Sequence, residues 1–77
     1  MTLNGDMQNR LELILETYRK TRPASLQSVL EEVVEAVRSG ELSDAYQARY
    51  VRDALYSSEE LKEQNSDILS EVESKFF

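Results

Sequence analysis

The chain of 77 residues has room for one domain, carries a net charge of −6 and contains neither cysteine nor histidine. Those two absences exclude disulfides and the usual zinc sites as supports for the fold. A chain of this length hides only about 60% of the surface that its unfolded form exposes, so we expect self-association or a protein partner to add to its stability.

The first residues are polar and include no basic segment. We predict a flexible lead over residues 1–5 and a single helical domain within residues 1–77. No apolar run approaches the roughly 18 residues of a membrane span, and the first residues do not resemble a secretion signal. We therefore expect a soluble, cytoplasmic protein that does not bind membranes.

Mostly apolar positions recur with the spacing four, three, four in three parts of the sequence. This spacing keeps one side of an α-helix against a single surface, so it predicts amphipathic helices that pack along their length. We predict an all-α fold, a small bundle of three to four helices over about residues 6–21, 25–39, 43–56 and 58–76. The recurring positions are Met7, Leu11, Ile14 and Tyr18; Leu26, Leu30, Val33 and Val37; and Leu61, Asn65, Ile68 and Val72.

The first predicted helix has one apolar side. Asn4 or Asp6 can accept hydrogen bonds from its first free amides. Asp6 and Arg10 stand four residues apart with the acid first, an arrangement that supports a helix. Leu13 falls well away from the apolar side.

The second predicted helix has the cleanest amphipathic pattern. Pro23 closes the first helix or opens the second, and Ser25 can cap the second. Gly40 stands where a left-handed residue ends a helix. Leu42 is placed for the apolar contact that accompanies such an end.

The third predicted helix follows Ser43, which can cap it. Its apolar residues, from Tyr46 to Leu55, spread over about 200° of the helix. Such breadth predicts contacts on two sides. This helix is therefore our candidate for the central element, or for one that meets both its own core and another chain.

A boundary is predicted after the third helix, because Ser57 and Glu60 have the Ser-x-x-Glu spacing of a capping box. The alternative is one continuous helix from Ser43 to Lys75, since no glycine or proline interrupts that segment. We favour the break.

Three pairs of glutamates are spaced four apart, as in helical di-metal sites. Those sites also need a Glu-x-x-His motif, and the chain has no histidine. No hydroxyl nucleophile has a typical base, and no phosphate-binding or calcium-binding loop occurs. We predict no enzymatic activity, no cofactor and no metal, and we interpret the pairs as solvated. They are Glu12 with Glu16, Glu31 with Glu35, and Glu59 with Glu63.

The third helix also offers a surface for recognition. Tyr46 and Tyr50 lie one turn apart with Arg49 and Arg52 nearby, and tyrosine and arginine are enriched at binding hot spots. We predict that these four residues and Tyr56 bind a partner. The alternative is that Tyr46 and Tyr50 belong to the core, whereas Tyr56 is expected to be exposed.

The last predicted helix carries a stripe of Leu61, Asn65, Ile68, Val72 and Phe76, which we also predict to bind a partner. A single buried asparagine in such a seam can fix the register of paired helices by bonding to its mate. Asn65 is therefore a candidate dimer contact. The alternative is an asparagine at the wet margin of the stripe.

Negative charge is concentrated toward the end of the sequence, where seven acids lie between Asp53 and Glu73 against Lys62 alone. This segment repels nucleic acids and anionic membranes, so we expect no direct nucleic-acid binding. It attracts a basic protein surface. The alternative is that the acids only keep a small helix soluble.

The favoured function is a small acidic protein–protein interaction module: an adaptor, inhibitor or chaperone-like regulator that forms a homodimer or higher assembly. One alternative is an antitoxin or nucleic-acid mimic whose acidic C-terminal helix blocks a basic nucleic-acid-binding protein. Another is a structural homo-oligomer subunit. Mimicry requires the acids to point outward, whereas docking by the last helix requires its apolar stripe to lie in the contact.

Overall fold

Five α-helices follow one another along the computed structural model, which describes residues 2–77. The all-α prediction is confirmed, and so is the break after the third helix. The predicted count of three to four helices is wrong, because the predicted fourth helix is divided at Asn65. The helices are α1 (Gly5–Lys20), α2 (Ala24–Arg38), α3 (Ala45–Tyr56), α4 (Glu59–Gln64) and α5 (Ser66–Phe76).

The segment before α1 lies against the loop between α2 and α3. Thr2 pairs with Glu41 in an isolated antiparallel bridge, and the Leu3 amide donates to the Gly40 carbonyl at 2.9 Å. Leu3 is buried, and Gly5 is already helical. The expected flexible lead over residues 1–5 therefore has, from Thr2 onward, a defined place in the fold. Its first residue lies outside the described residues.

Two helices begin with a side-chain cap. The Asn4 carboxamide oxygen accepts from the Met7 amide at 2.8 Å, as the sequence predicts for α1. For α3 the predicted cap, Ser43, is wrong. The helix begins at Ala45, so Asp44 stands immediately before it and accepts from the Gln47 amide at 2.9 Å.

Two further predicted caps are wrong. Ser25 lies inside the first turn of α2, which begins after Pro23 without a side-chain cap. Ser57 does not start a capping box, because it ends α3 and its hydroxyl donates to the Ala54 carbonyl at 2.6 Å. Ser58 precedes α4 and makes no capping bond with its side chain.

The end of α2 has the predicted glycine geometry. Gly40 has a φ of 84°, which favours glycine because a Cβ atom is strained there. The Gly40 amide donates to the Val37 carbonyl at 2.9 Å, and the Glu41 amide donates to the Ala36 carbonyl at 3.1 Å. This bond pair is the Schellman motif, and it turns the chain so that Leu42 is fully buried.

The core is gathered around α3, which contacts each of the other four helices. This confirms the prediction that α3 is the central helix. α1 and α2 form the other main pairing. The buried apolar residues are Leu3, Leu11, Ile14, Leu15, Leu30, Val33, Val34, Val37, Leu42, Ala48, Val51, Ala54, Leu55, Ile68, Leu69 and Val72.

Candidate functional site

The side of α3 that faces away from the core forms a stripe of exposed side chains, which we call the outer face of α3. It consists of Tyr46, Arg49, Asp53 and Tyr56, all within about 80° of the helix. The two tyrosines are 54% and 52% exposed. A tyrosine ring that is half exposed offers an apolar surface and a hydroxyl to a partner at little entropic cost.

Tyr46 and Tyr50 contact each other edge to face. Their ring centroids lie 5.3 Å apart with an interplanar angle of 75°, and their hydroxyl oxygens are 3.5 Å apart. The hydrogen bond with Tyr50 raises the pKa of Tyr46 above its ordinary value. Tyr50 packs against the core whereas Tyr46 does not, so the core alternative describes only Tyr50.

Cations extend this surface at its edges. The Arg52 guanidinium lies over the Phe77 ring, 4.1 Å from its centroid. The Lys62 ammonium lies 5.4 Å from the centroid of the Tyr56 ring. Sequence reasoning missed Phe77, whose ring is 53% exposed, because no helical spacing links it to Arg52.

The predicted stripe of the last helix is largely not a surface. Ile68 and Val72 have no exposed area, because α5 packs this side against α3. Leu61 and Phe76 are half-buried and pack against the same core. The structure therefore corrects the prediction that Ile68 and Val72 meet a partner: they stabilise the chain itself.

Asn65 is also buried, and its side chain is bonded within the chain. Its carboxamide oxygen accepts from Arg10 Nη2 at 2.8 Å and Nε at 3.2 Å, and its amide nitrogen donates to the Leu61 carbonyl at 3.0 Å. Asn65 stands between α4 and α5 with φ −125° and ψ 31°, which ends one helix and starts the next. The structure therefore corrects the prediction that Asn65 is a dimer contact: its side chain joins α1, α4 and α5 within one chain.

The Arg10 guanidinium ties α1 to this helix junction. It donates to both carboxylate oxygens of Asp67 at 2.9 Å and to the Gln64 carbonyl at 3.3 Å. The hydrogen bonds from Arg10 lower the pKa of Asp67 to about 2. The sequence pairs Arg10 with Asp6, which lies farther away at 3.7 Å. The bond to Asp67 was missed because the two residues are far apart along the chain.

Two of the glutamate pairs are neutralised by arginines between α1 and α2. Arg38 contacts Glu12 at 2.9 Å and Glu16 at 2.7 Å, and Arg19 contacts Glu16 and Glu31 at 2.7 Å each. The bond with Arg19 lowers the pKa of Glu16, so this carboxylate stays charged. These acids act as structural ion-pair partners, and no group of three acids in residues 2–77 could hold a metal ion.

Four acids of α4 and α5 point outward. Glu59, Glu60, Glu63 and Glu71 are all exposed, and Glu59 has only an ion pair of 3.4 Å with Lys62. These outward acids meet the geometric condition for mimicry of a nucleic acid. They form a negative surface that adjoins the outer face of α3 at Lys62, which contacts both Glu59 and the Tyr56 ring.

One further surface feature lies on α1. A shallow depression on α1 is lined by Asn9, Glu12, Leu13 and Glu16, with Leu13 71% exposed. Nothing in it combines a nucleophile with a base. Across residues 2–77, none of the helices has the length and apolar character needed to cross a membrane.

The chain was compared with protein-family models, with curated proteins and with solved structures. None of the three comparisons finds a match.

Proposed function

We propose that the chain is a non-enzymatic protein–protein interaction module that binds its partner through the outer face of α3. The observation that carries this proposal is the pair of half-exposed tyrosines, Tyr46 and Tyr56, at the two ends of a face that also carries Arg49. Tyrosine and arginine are enriched among the few residues that carry most of the binding energy of protein interfaces. The fold does not use these side chains in its core, so they are free to contact another surface.

The face also defines the chemistry of its partner. Two rings about 15 Å apart along the helix need apolar or aromatic contacts at both ends. Arg49 and Asp53 between them need a carboxylate and a cation, because a charge buried without a partner is costly. The adaptor, inhibitor and chaperone-like regulator roles all fit such a module, and we place it in the cytoplasm.

A photoreactive amino acid at position 46 or 56 tests the proposal directly. The matched control is the same amino acid at position 13, since Leu13 is also apolar and exposed but lies on α1. In native lysate we expect a covalent adduct from positions 46 and 56 and none from position 13. Adducts from position 13 alone would contradict the proposal.

A second candidate function is supported by the outward acids of α4 and α5. Glu59, Glu60, Glu63 and Glu71 would occupy the phosphate-binding surface of a basic nucleic-acid-binding protein, as an antitoxin or nucleic-acid mimic does. Replacing Glu60 and Glu63 by Gln then weakens capture of the partner, and added DNA or RNA competes with the chain. Capture that resists both changes excludes this candidate.

A further inference from the structure

We propose that the outer face of α3 is self-complementary and binds the same face of a second copy of the chain, with the two helices antiparallel. This inference rests on the proposed function and names its partner. It comes from the order of the side chains about the level of Val51. The two outer positions, Tyr46 and Tyr56, carry the same residue, and the two inner positions, Arg49 and Asp53, carry opposite charges.

A two-fold axis fixes which residues meet. When two identical helices pack antiparallel across such an axis, each residue faces the one that lies equally far on the other side of the axis. Arg49 stands two residues before Val51, and Asp53 stands two residues after it. An axis at the level of Val51 therefore brings Arg49 of each copy against Asp53 of the other, and two ion pairs form.

The aromatic residues obey the same symmetry. Tyr46 and Tyr56 stand five residues on either side of Val51. Tyr46 of each copy therefore meets Tyr56 of the other copy, once at each end of the contact. Tyr50 and Arg52 lie at the two opposite margins of the contact, where Tyr50 packs against its own core and the Arg52 guanidinium lies over the Phe77 ring. All the residue types that the face needs from a partner are thus present on the face itself.

Both central charges are free for this contact. Arg49 and Asp53 are exposed, and within the described part of the chain neither side chain forms a hydrogen bond or an ion pair. They could pair with each other four residues apart, but the base comes first, which is the weaker order in a helix. A parallel arrangement would place Arg49 against Arg49, so charge selects the antiparallel one.

The spacing of the face also suits helix pairing. Its residues are separated by three, four and three positions, the spacing of a helix–helix seam. A contact of about 15 Å along one helix is short, and it belongs with small, transient interfaces. We expect a dissociation constant on the order of 100 µM.

Sedimentation of the full chain over a concentration series, from about 10 µM to about 1 mM, spans that constant. The weight-average mass rises from the 8.9 kDa of one chain toward twice that value. Arg49→Asp or Asp53→Arg alone sets like charges against each other, and each raises the dissociation constant about tenfold or more. The controls Lys20→Asp and Glu63→Arg make the same changes in net charge at exposed positions elsewhere. They leave the dissociation constant unchanged.

Two rescues distinguish this geometry from other contacts. The double variant Arg49→Asp with Asp53→Arg restores association, because the acid and the base of each ion pair only exchange places. An equimolar mixture of the two single variants also associates, since one copy then carries two acids and the other two bases at these positions. A wild-type chain that stays monomeric at about 1 mM, or single variants that associate normally, or rescues that fail, each overturns the inference.

The photoreactive variants at positions 46 and 56 separate this inference from the proposed function. A photoreactive residue at position 46 that joins two copies gives an adduct of twice the chain mass, whereas a different partner gives another mass. If the chain stays monomeric and position 46 still reacts with another protein, the inference fails and the proposed function stands. If positions 46 and 56 give no adduct of either kind, both fail.

Discussion

Two leucines of α1 show at the scale of single residues how burial divides the chain. Leu11 has no exposed area, whereas Leu13 is 71% exposed although it is only two residues away. A helix turns about 200° over two residues, so neighbours of the same type can have opposite surroundings. Position on the helix, and not hydrophobicity alone, determines what each leucine contributes.

We therefore predict opposite results for the same substitution at these two positions. Leu11→Ala removes buried methyl groups and leaves a cavity, so it lowers the free energy of unfolding by about 2–5 kcal/mol. Leu13→Ala changes that free energy by no more than about 0.5 kcal/mol. Urea unfolding monitored by circular dichroism measures both. Equal losses from the two variants would mean that α1 is oriented differently.

Helix starts are the least predictable feature at the scale of elements. The sequence offers Asn4 or Asp6 as the cap of α1, and Asn4 is the cap in the structure; Ser25, Ser43 and Ser57 are not N-terminal caps. Serine, aspartate and asparagine all favour the cap position, so a shift of one residue exchanges one candidate for its neighbour. The pattern of apolar residues locates a helix better than it locates its first residue.

The caps make a direct prediction. Asp44→Ala removes the bond to the Gln47 amide and lowers the free energy of unfolding by about 1 kcal/mol. Ser25→Ala removes no capping bond, so we expect a change within about 0.5 kcal/mol. Thermal unfolding of the two variants beside the wild type makes the comparison. A larger loss from Ser25→Ala would indicate that Ser25 caps α2, as the sequence predicts.

The junction of α4 and α5 predicts a dependence on pH. Because the bond to Arg10 lowers the pKa of Asp67 from 3.8 to about 2, the folded state binds this proton more weakly than the unfolded state does. The stabilising contribution of Asp67 is complete when the pH is above its pKa in the unfolded state. It is lost as the pH falls toward its lower pKa in the folded state.

We therefore expect Asp67→Asn to unfold at a lower temperature than the wild type at pH 7, and the difference to shrink between about pH 4 and pH 2. Glu63→Gln is the control, because Glu63 is exposed and forms no ion pair in the described residues. Its difference from the wild type is small at every pH. A difference for Asp67→Asn that does not change with pH would exclude the ion pair as its cause.

For the whole molecule, the sequence predicts more of the fold than of the surface. The helical periodicity and the breadth of α3 predict an all-α fold around a central helix. The split at Asn65 depends on Arg10, a residue 55 positions away, and local patterns carry no signal for such a bond. The same applies to Ile68 and Val72, because an apolar stripe looks identical whether its own chain or a partner covers it.

The central claim is that α3 has one face in the core and an opposite face that contacts the same face of a second copy of the chain. Solvent paramagnetic relaxation in nuclear magnetic resonance, measured from dilute to concentrated protein, reports both faces at once. We predict that Tyr46, Arg49, Asp53 and Tyr56 relax strongly in dilute solution and become shielded as the concentration rises, while Val51 and Leu55 stay shielded throughout. If the first four residues are shielded in dilute solution, or stay accessible while another surface becomes covered, the claim is contradicted.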